Sequence, residues 1–160
     1  MRQPPKQRIA EDAIKAWRLS ALLYLLIPVA LTIGAFILTY VIEFLPPWVW
    51  ILLLALTIID LVVSPFILPK LRWRRWRYEV LDDEIYIQHG ILIVTQTLIP
   101  MIRVQHVDTK QGPILANYKL ATLTISTAAT IHEIPALTEQ EASNMRDLIS
   151  ELARVEQEDV

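Results

Sequence analysis

The sequence contains no cysteine, three glycines and three histidines. Without thiols there are no disulfide staples, thiolate zinc sites or cysteine nucleophiles, and the redox compartment cannot be read. Gly34, Gly90 and Gly112 stand alone, so no glycine-rich phosphate loop exists. His89, His106 and His132 do not have metal-binding spacing, and no metal site is expected. The serines lack a nucleophile-elbow context. Asp82-Asp83-Glu84 reads as a turn cap at a strand entrance rather than an acid–base pair. No catalytic residue and no cofactor are therefore expected. Disorder is excluded over most of the chain by an apolar content of 54%.

Charge is also missing over two long stretches. Leu19 to Ile42 carries none, and Phe44 to Pro69 carries only Asp60. A helix needs about 20 apolar residues to cross the bilayer core, so each stretch is long enough. The link between them contains Pro46-Pro47, which stops helix continuation. The reading is a transmembrane hairpin over residues 19–69, with spans of about 19–42 and 46–69. The first run exceeds a signal-peptide core and is read as a retained span. Arg2, Lys6, Arg8, Lys15 and Arg18 precede the hairpin, Lys70 to Arg77 follow it, and the link has neither Lys nor Arg. Positive flanks stay cytoplasmic, so both termini are expected inside, with residues 1–18 as a basic cytoplasmic segment.

Asp60 is expensive in a span, at about 2.5–3.5 kcal/mol, but the fourteen Leu, Ile, Val and Phe residues between Val49 and Leu68 outweigh it. Thr57 and Ser64 share its helical face. Pro28 frees the Tyr24 carbonyl, which a protonated Asp60 could bond. Packing within the hairpin, contact with a neighbouring subunit and a transport role all remain open for this residue.

Lys70, Arg72, Trp73, Arg74, Arg75, Trp76 and Arg77 form a basic, aromatic joint over residues 70–77. Five cations beside a span suit the surface of a bilayer with anionic lipids, with the tryptophans at the interface. The same charges also serve simply to fix topology. Adjacency to the bilayer argues against nucleic acid.

From Tyr78 the pattern turns to period two. Strands are expected at Ile85–His89, Ile91–Ile99, Met101–Val107, Leu120–Thr127 and Thr130–Pro135, with a break at Gln111-Gly112-Pro113. Thr138 to Glu141 is a capping box. It opens an amphipathic helix over 139–156 with Ala142, Met145, Leu148, Ile149, Leu152 and Val155 on one stripe. Residues 78–160 are thus a small β-domain with a C-terminal helix. The fold class is α+β: a two-helix transmembrane hairpin followed by a cytoplasmic β-barrel or sandwich. Residues 78–160 carry five Lys/Arg against thirteen Asp/Glu, which opposes binding of an anionic headgroup by the domain core. Arg103 and Gln105 are read on one strand face, either bracing the barrel or clamping a peptide.

Tyr78, the segment Asp83–Leu92, the segment Ile99–Val107 and the segment Leu120–Ala128 together resemble the bacterial PH-domain membrane proteins, the YdbS-like family. Many members carry glycine where this chain has Lys119 and Ala129. The resemblance implies a pleckstrin-homology-like barrel capped by its C-terminal helix, in a bacterial cytoplasmic membrane, with no known catalytic residues. It also implies a larger membrane protein with related domains as partner. The chain's own assembly into a homo-oligomer stays open. The expected function is a non-enzymatic, membrane-anchored interaction or scaffold protein, in envelope maintenance or stress tolerance. The alternative is a small subunit of a transport or lipid-handling assembly.

Overall fold

Proline sets the course of the apolar helices. Pro28 offers no N–H to the Tyr24 carbonyl, and its ring crowds that turn. The computed structural model, which describes residues 3–41 and 43–158, accordingly breaks the first run at Leu25. Helix α1 covers Ala13–Tyr24 and α2 covers Leu26–Tyr40. Arg2 of the basic flank and Ile42 at the expected span end lie outside the described residues. Glu43 takes the left-handed conformation (φ 55°), and the Phe44 N–H reaches back six residues to the Leu38 carbonyl at 2.8 Å. The left-handed residue that turns the chain out of the helix is Glu43, where glycine is usual. Pro46 is extended, and Pro47 opens α3 (Pro47–Val62) at the position where a missing N–H costs nothing.

Beyond α3 the helix widens into a π-turn, Val63–Ile67, around Pro65, and continues as α4 (Leu68–Arg75). Pro69 cannot donate to the Pro65 carbonyl. Arg18 Nε does so instead, at 3.2 Å. The two helical stretches are 28 and 29 residues long, or roughly 42–44 Å at 1.5 Å per residue, enough for a hydrocarbon core of about 30 Å. No residue of α3 is buried, and Leu26 and Ile58 are 64% and 54% exposed. Helices apolar all round and exposed are matched to lipid, not water.

Within the unit of residues 17–70, α2 packs against α3 through the small face Thr32, Ala35 and Thr39, all buried. Small residues let helix backbones approach where lipid removes the hydrophobic drive. The Thr32 and Thr57 hydroxyls meet at 2.9 Å. Phe36 meets Trp50 edge to face, with ring centroids 5.5 Å apart.

The other unit joins the residues up to Ala16 with those from Leu71 onward. One antiparallel sheet runs β1 (Gln7–Arg8), β2 (Arg77–Val80), β3 (Glu84–His89), β4 (Thr95–Pro100). A second runs β5 (Val104–Lys110), β6 (Leu120–Thr127), β7 (Ile131–Thr138), with a short helix α5 (Pro113–Asn117) between β5 and β6. Ile85, Ile99, Leu123, Ile125, Ile134 and Leu137 fill the core, each at most 2% exposed. Helix α6 (Glu139–Glu158) closes it with Ala142, Ile149 and Ala153. Leu148 and Val155, expected on the same stripe, are each 48% exposed. The capping box forms reciprocally: the Glu141 N–H reaches Thr138 Oγ1 at 3.3 Å, and Glu141 Oε2 accepts from the Thr138 N–H at 3.1 Å. Of the two departures from glycine, Lys119 is left-handed (φ 53°), in the turn that leaves α5.

Several elements differ from expectation. The last strand runs past Pro135 to Thr138, because an extra residue on β7 forms a bulge there and Ala136 turns left-handed (φ 53°). A bulge is where a strand tolerates proline. The strand expected to start at Ile91 starts at Thr95, since residues 90–94 are the hairpin loop. Met101–Arg103 is a 3₁₀ turn, not strand. Of the segment 1–18, expected as a simple basic flank, residues 3–16 supply β1 and pack into the domain. Pro5 and Ile9 are buried, and the Ala10 N–H donates to the Ala136 carbonyl at 3.1 Å.

Gly90 (φ 114°) holds the β3–β4 loop shut. A Cβ there would lie 1.9 Å from the Ile93 carbonyl oxygen. Gly90→Ala is expected to destabilise the domain by roughly 2–4 kcal/mol, read as a lowered urea midpoint of the full chain in detergent, while Gly112→Ala, which meets nothing within 4 Å, changes little.

Candidate interaction surfaces

Helical periodicity divides the basic joint into two faces. Positions 73 and 76 lie three apart on one side of the turn leaving α4. Trp73 is half-buried, its Nε1–H donating to the Ile9 carbonyl at 3.1 Å, with the Arg8 guanidinium 5.1 Å from its ring centroid. Trp76 is 7% exposed and stacks on His89, with centroids 5.2 Å apart and rings 22° from parallel. Arg77 Nη1 donates to the Pro5 carbonyl at 3.3 Å. The expected lipid-facing set is therefore corrected. Trp76 is spent in the domain's packing, and Trp73 and Arg77 hold the N-terminal segment. Lys70, Arg72, Arg74 and Arg75 are exposed. The missed clue was Pro5 and Ile9, apolar residues in an otherwise polar flank.

His89 is kept below its usual pKa, first by burial and then by the nearby Arg72 and His132. Arg72, Lys110, His89, His132 and Glu133 border a groove of ≈ 640 Å³. Among the described residues, no three His, Asp or Glu side chains are grouped to hold a metal. His106 is exposed on β5.

In the hairpin, Asp60 is half-buried and accepts a hydrogen bond from Ser64 Oγ, one turn along the same helix. A bond from Asp60 to the Tyr24 carbonyl is absent among the described residues, and Asp60 instead accepts from its own helix. Tyr24 itself is 72% exposed. Thr57 turns away from this pair to meet Thr32.

Arg103 and Gln105 do not share a regular strand face. Arg103 ends the 3₁₀ turn, and Gln105 is the extra residue of a β5 bulge between Val104 and His106. Both are exposed, without an ion pair or hydrogen bond among the described residues, and both line a groove of ≈ 510 Å³ with Leu98 and Ile102. The bulge re-aims Gln105 outward. This groove lies where the edge strand of one sheet, β4, turns into the edge strand of the other, β5.

The profile of the family described as "Bacterial PH domain" matches residues 20–153. The chain belongs to the bacterial PH-domain family. It is 48% identical over 160 residues, the whole of both chains, to the UPF0699 transmembrane protein YdbS of Bacillus subtilis. It is 29% identical over 83 residues to the UPF0699 transmembrane protein YdbT of the same organism, a match covering 49% of this chain and 17% of that one. No solved structure matches it. This bacterial PH-domain chain is accordingly a UPF0699 membrane protein, with two candidate spans, a PH-like pair of sheets and a C-terminal helix.

Tyr78 of this PH-like domain is 4% exposed on β2 and lines a further groove with Arg8, Glu141, Met145 and Leu148. Burial, and then the Glu141 carboxylate, push its phenol up to about 12. The unfolded phenol ionises near pH 10 or about that value. Above about pH 10 the unfolded chain thus loses a proton that the folded chain keeps, so stability falls with rising pH until about 12. Tyr78→Phe is expected to flatten that fall, with no change below pH 10 or thereabouts, in urea unfolding of the full chain in detergent followed by circular dichroism.

Proposed function

We propose that this chain is a non-enzymatic, membrane-anchored interaction module that holds its PH-like domain at the cytoplasmic surface of a bacterial membrane and engages a larger membrane protein with related domains. The observation that carries the reading is the groove at the β4–β5 corner. Leu98 on β4 and Ile102 in the 3₁₀ turn are 42% and 44% exposed there, beside Arg103 and the bulged Gln105, between two strands that each have an unpaired edge among the described residues. Apolar side chains beside an arginine and an open backbone edge are what an extended segment of a partner recognises. YdbT supports the kind of partner, since the match to this chain covers only 17% of that protein. The positive flanks favour termini inside. The pairing of β1 with β2 supports placing both ends on one side.

A subunit of a transport or lipid-handling assembly is the weaker reading. Its main candidate, Asp60, is served by its own helix, and two helices are too few to enclose a solute path.

The test is native-level purification of the tagged full chain from membranes in mild detergent. The expected companion is a larger membrane protein carrying a related domain. Ile102→Asp with Arg103→Glu is expected to cut its recovery about thirtyfold, the size of a loss at one interface hot spot. Arg74→Ala with Arg75→Ala leaves recovery unchanged. A chain that emerges without a companion, or a companion that the groove variant retains in full, overturns the proposal.

A further inference from the structure

The β3–β4 loop carries the most exposed apolar side chains described in the protein. Leu92 is 95% exposed and Ile93 is 82% exposed, more than any apolar residue of the spanning helices. Gly90 prevents an easy retreat, because its close approach to the Ile93 carbonyl locks the loop. Ile91 and Ile131, the latter 64% exposed, extend the apolar surface into the groove below. A surface of this kind in an otherwise soluble domain marks an interaction site.

Its place in the sheet says with what. Gln88 is paired with Arg77, and His89 stacks on Trp76. The loop therefore lies at the end of the sheet where the chain enters the domain from its last span. The groove beneath it is bordered by Arg72 and Lys110, opposed by the single acid Glu133. Apolar tips above basic residues match acyl chains below phosphate headgroups.

We infer that Ile91-Leu92-Ile93 dips into the bilayer surface as a second membrane attachment of the domain, independent of the spanning helices. The loop is a wedge held by Gly90, and Arg72 and Lys110 hold the headgroups of anionic lipids beside it. The proposal does not depend on the β4–β5 groove or on any protein companion.

The natural chain has no cysteine, so one introduced thiol reports one position. Full-length Leu92→Cys is labelled with a polarity-sensitive fluorophore and reconstituted into vesicles of phosphatidylcholine and phosphatidylglycerol. Ser150→Cys, an exposed site on α6, is the control. The label at 92 is expected to emit to the blue of the control, to be quenched by brominated acyl chains, and to be several-fold less quenched by aqueous iodide. An iodide-accessible label that brominated lipid does not quench overturns the proposal. Shielding in native membranes but not in lipid vesicles also overturns it, and assigns the tip to a protein.

Discussion

The N-terminal segment closes the domain from outside the domain's own stretch of sequence. Gln7 and Arg8 pair with Tyr78 and Arg77, Trp73 bonds the Ile9 carbonyl, and the Ala10 N–H bonds the Ala136 carbonyl. That last bond exists because the β7 bulge leaves the carbonyl unpaired within its sheet. The membrane hairpin is thereby an insertion in the chain of a folded domain, leaving after Ala16 and returning at Leu71. Closing so long a connection costs little more than closing a short one. Several part-buried bonds and the burial of Pro5 and Ile9 repay it. The two chain ends of the hairpin are consequently tied to one body.

The hairpin is built by a different rule. In lipid, apolar side chains gain nothing from meeting each other, so close approach and polar contacts decide the packing. Thr32, Ala35 and Thr39 supply the approach, and Thr32 with Thr57 supplies a polar contact between helices. The prolines are absorbed at a helix break, at a first turn and in a π-turn. Arg18 satisfies the carbonyl that Pro69 leaves without a donor.

The features set by composition were legible in the sequence. The uncharged runs, the paired prolines of the link, the capping box and the period-two strand at Ile85–His89 all signal locally. What escaped is non-local. A two-residue strand, Gln7–Arg8, has no periodicity to read, and its partner is seventy residues away. The tryptophans of the joint read as interfacial because sequence shows their polarity but not their neighbours. Residues 91–94 read as strand because they are uniformly apolar. That lack of alternation was itself the available sign of a loop tip rather than a half-buried strand. Arg103 and Gln105 read as one strand face, but a turn and a bulge place them, which a strict period-two count cannot contain.

Both ends of the hairpin belong to one folded body, and the proposed orientation puts that body in the cytoplasm with only the link outside. Three single cysteines test it in the full chain: at Gln7 in β1, at Phe44 in the link, which is 75% exposed, and at Thr109 in β5. Wall-stripped intact cells are treated with a membrane-impermeant maleimide, before and after permeabilisation. The account predicts labelling of position 44 in intact cells, and of positions 7 and 109 only after permeabilisation. Labelling of position 7 or position 109 in intact cells would contradict it.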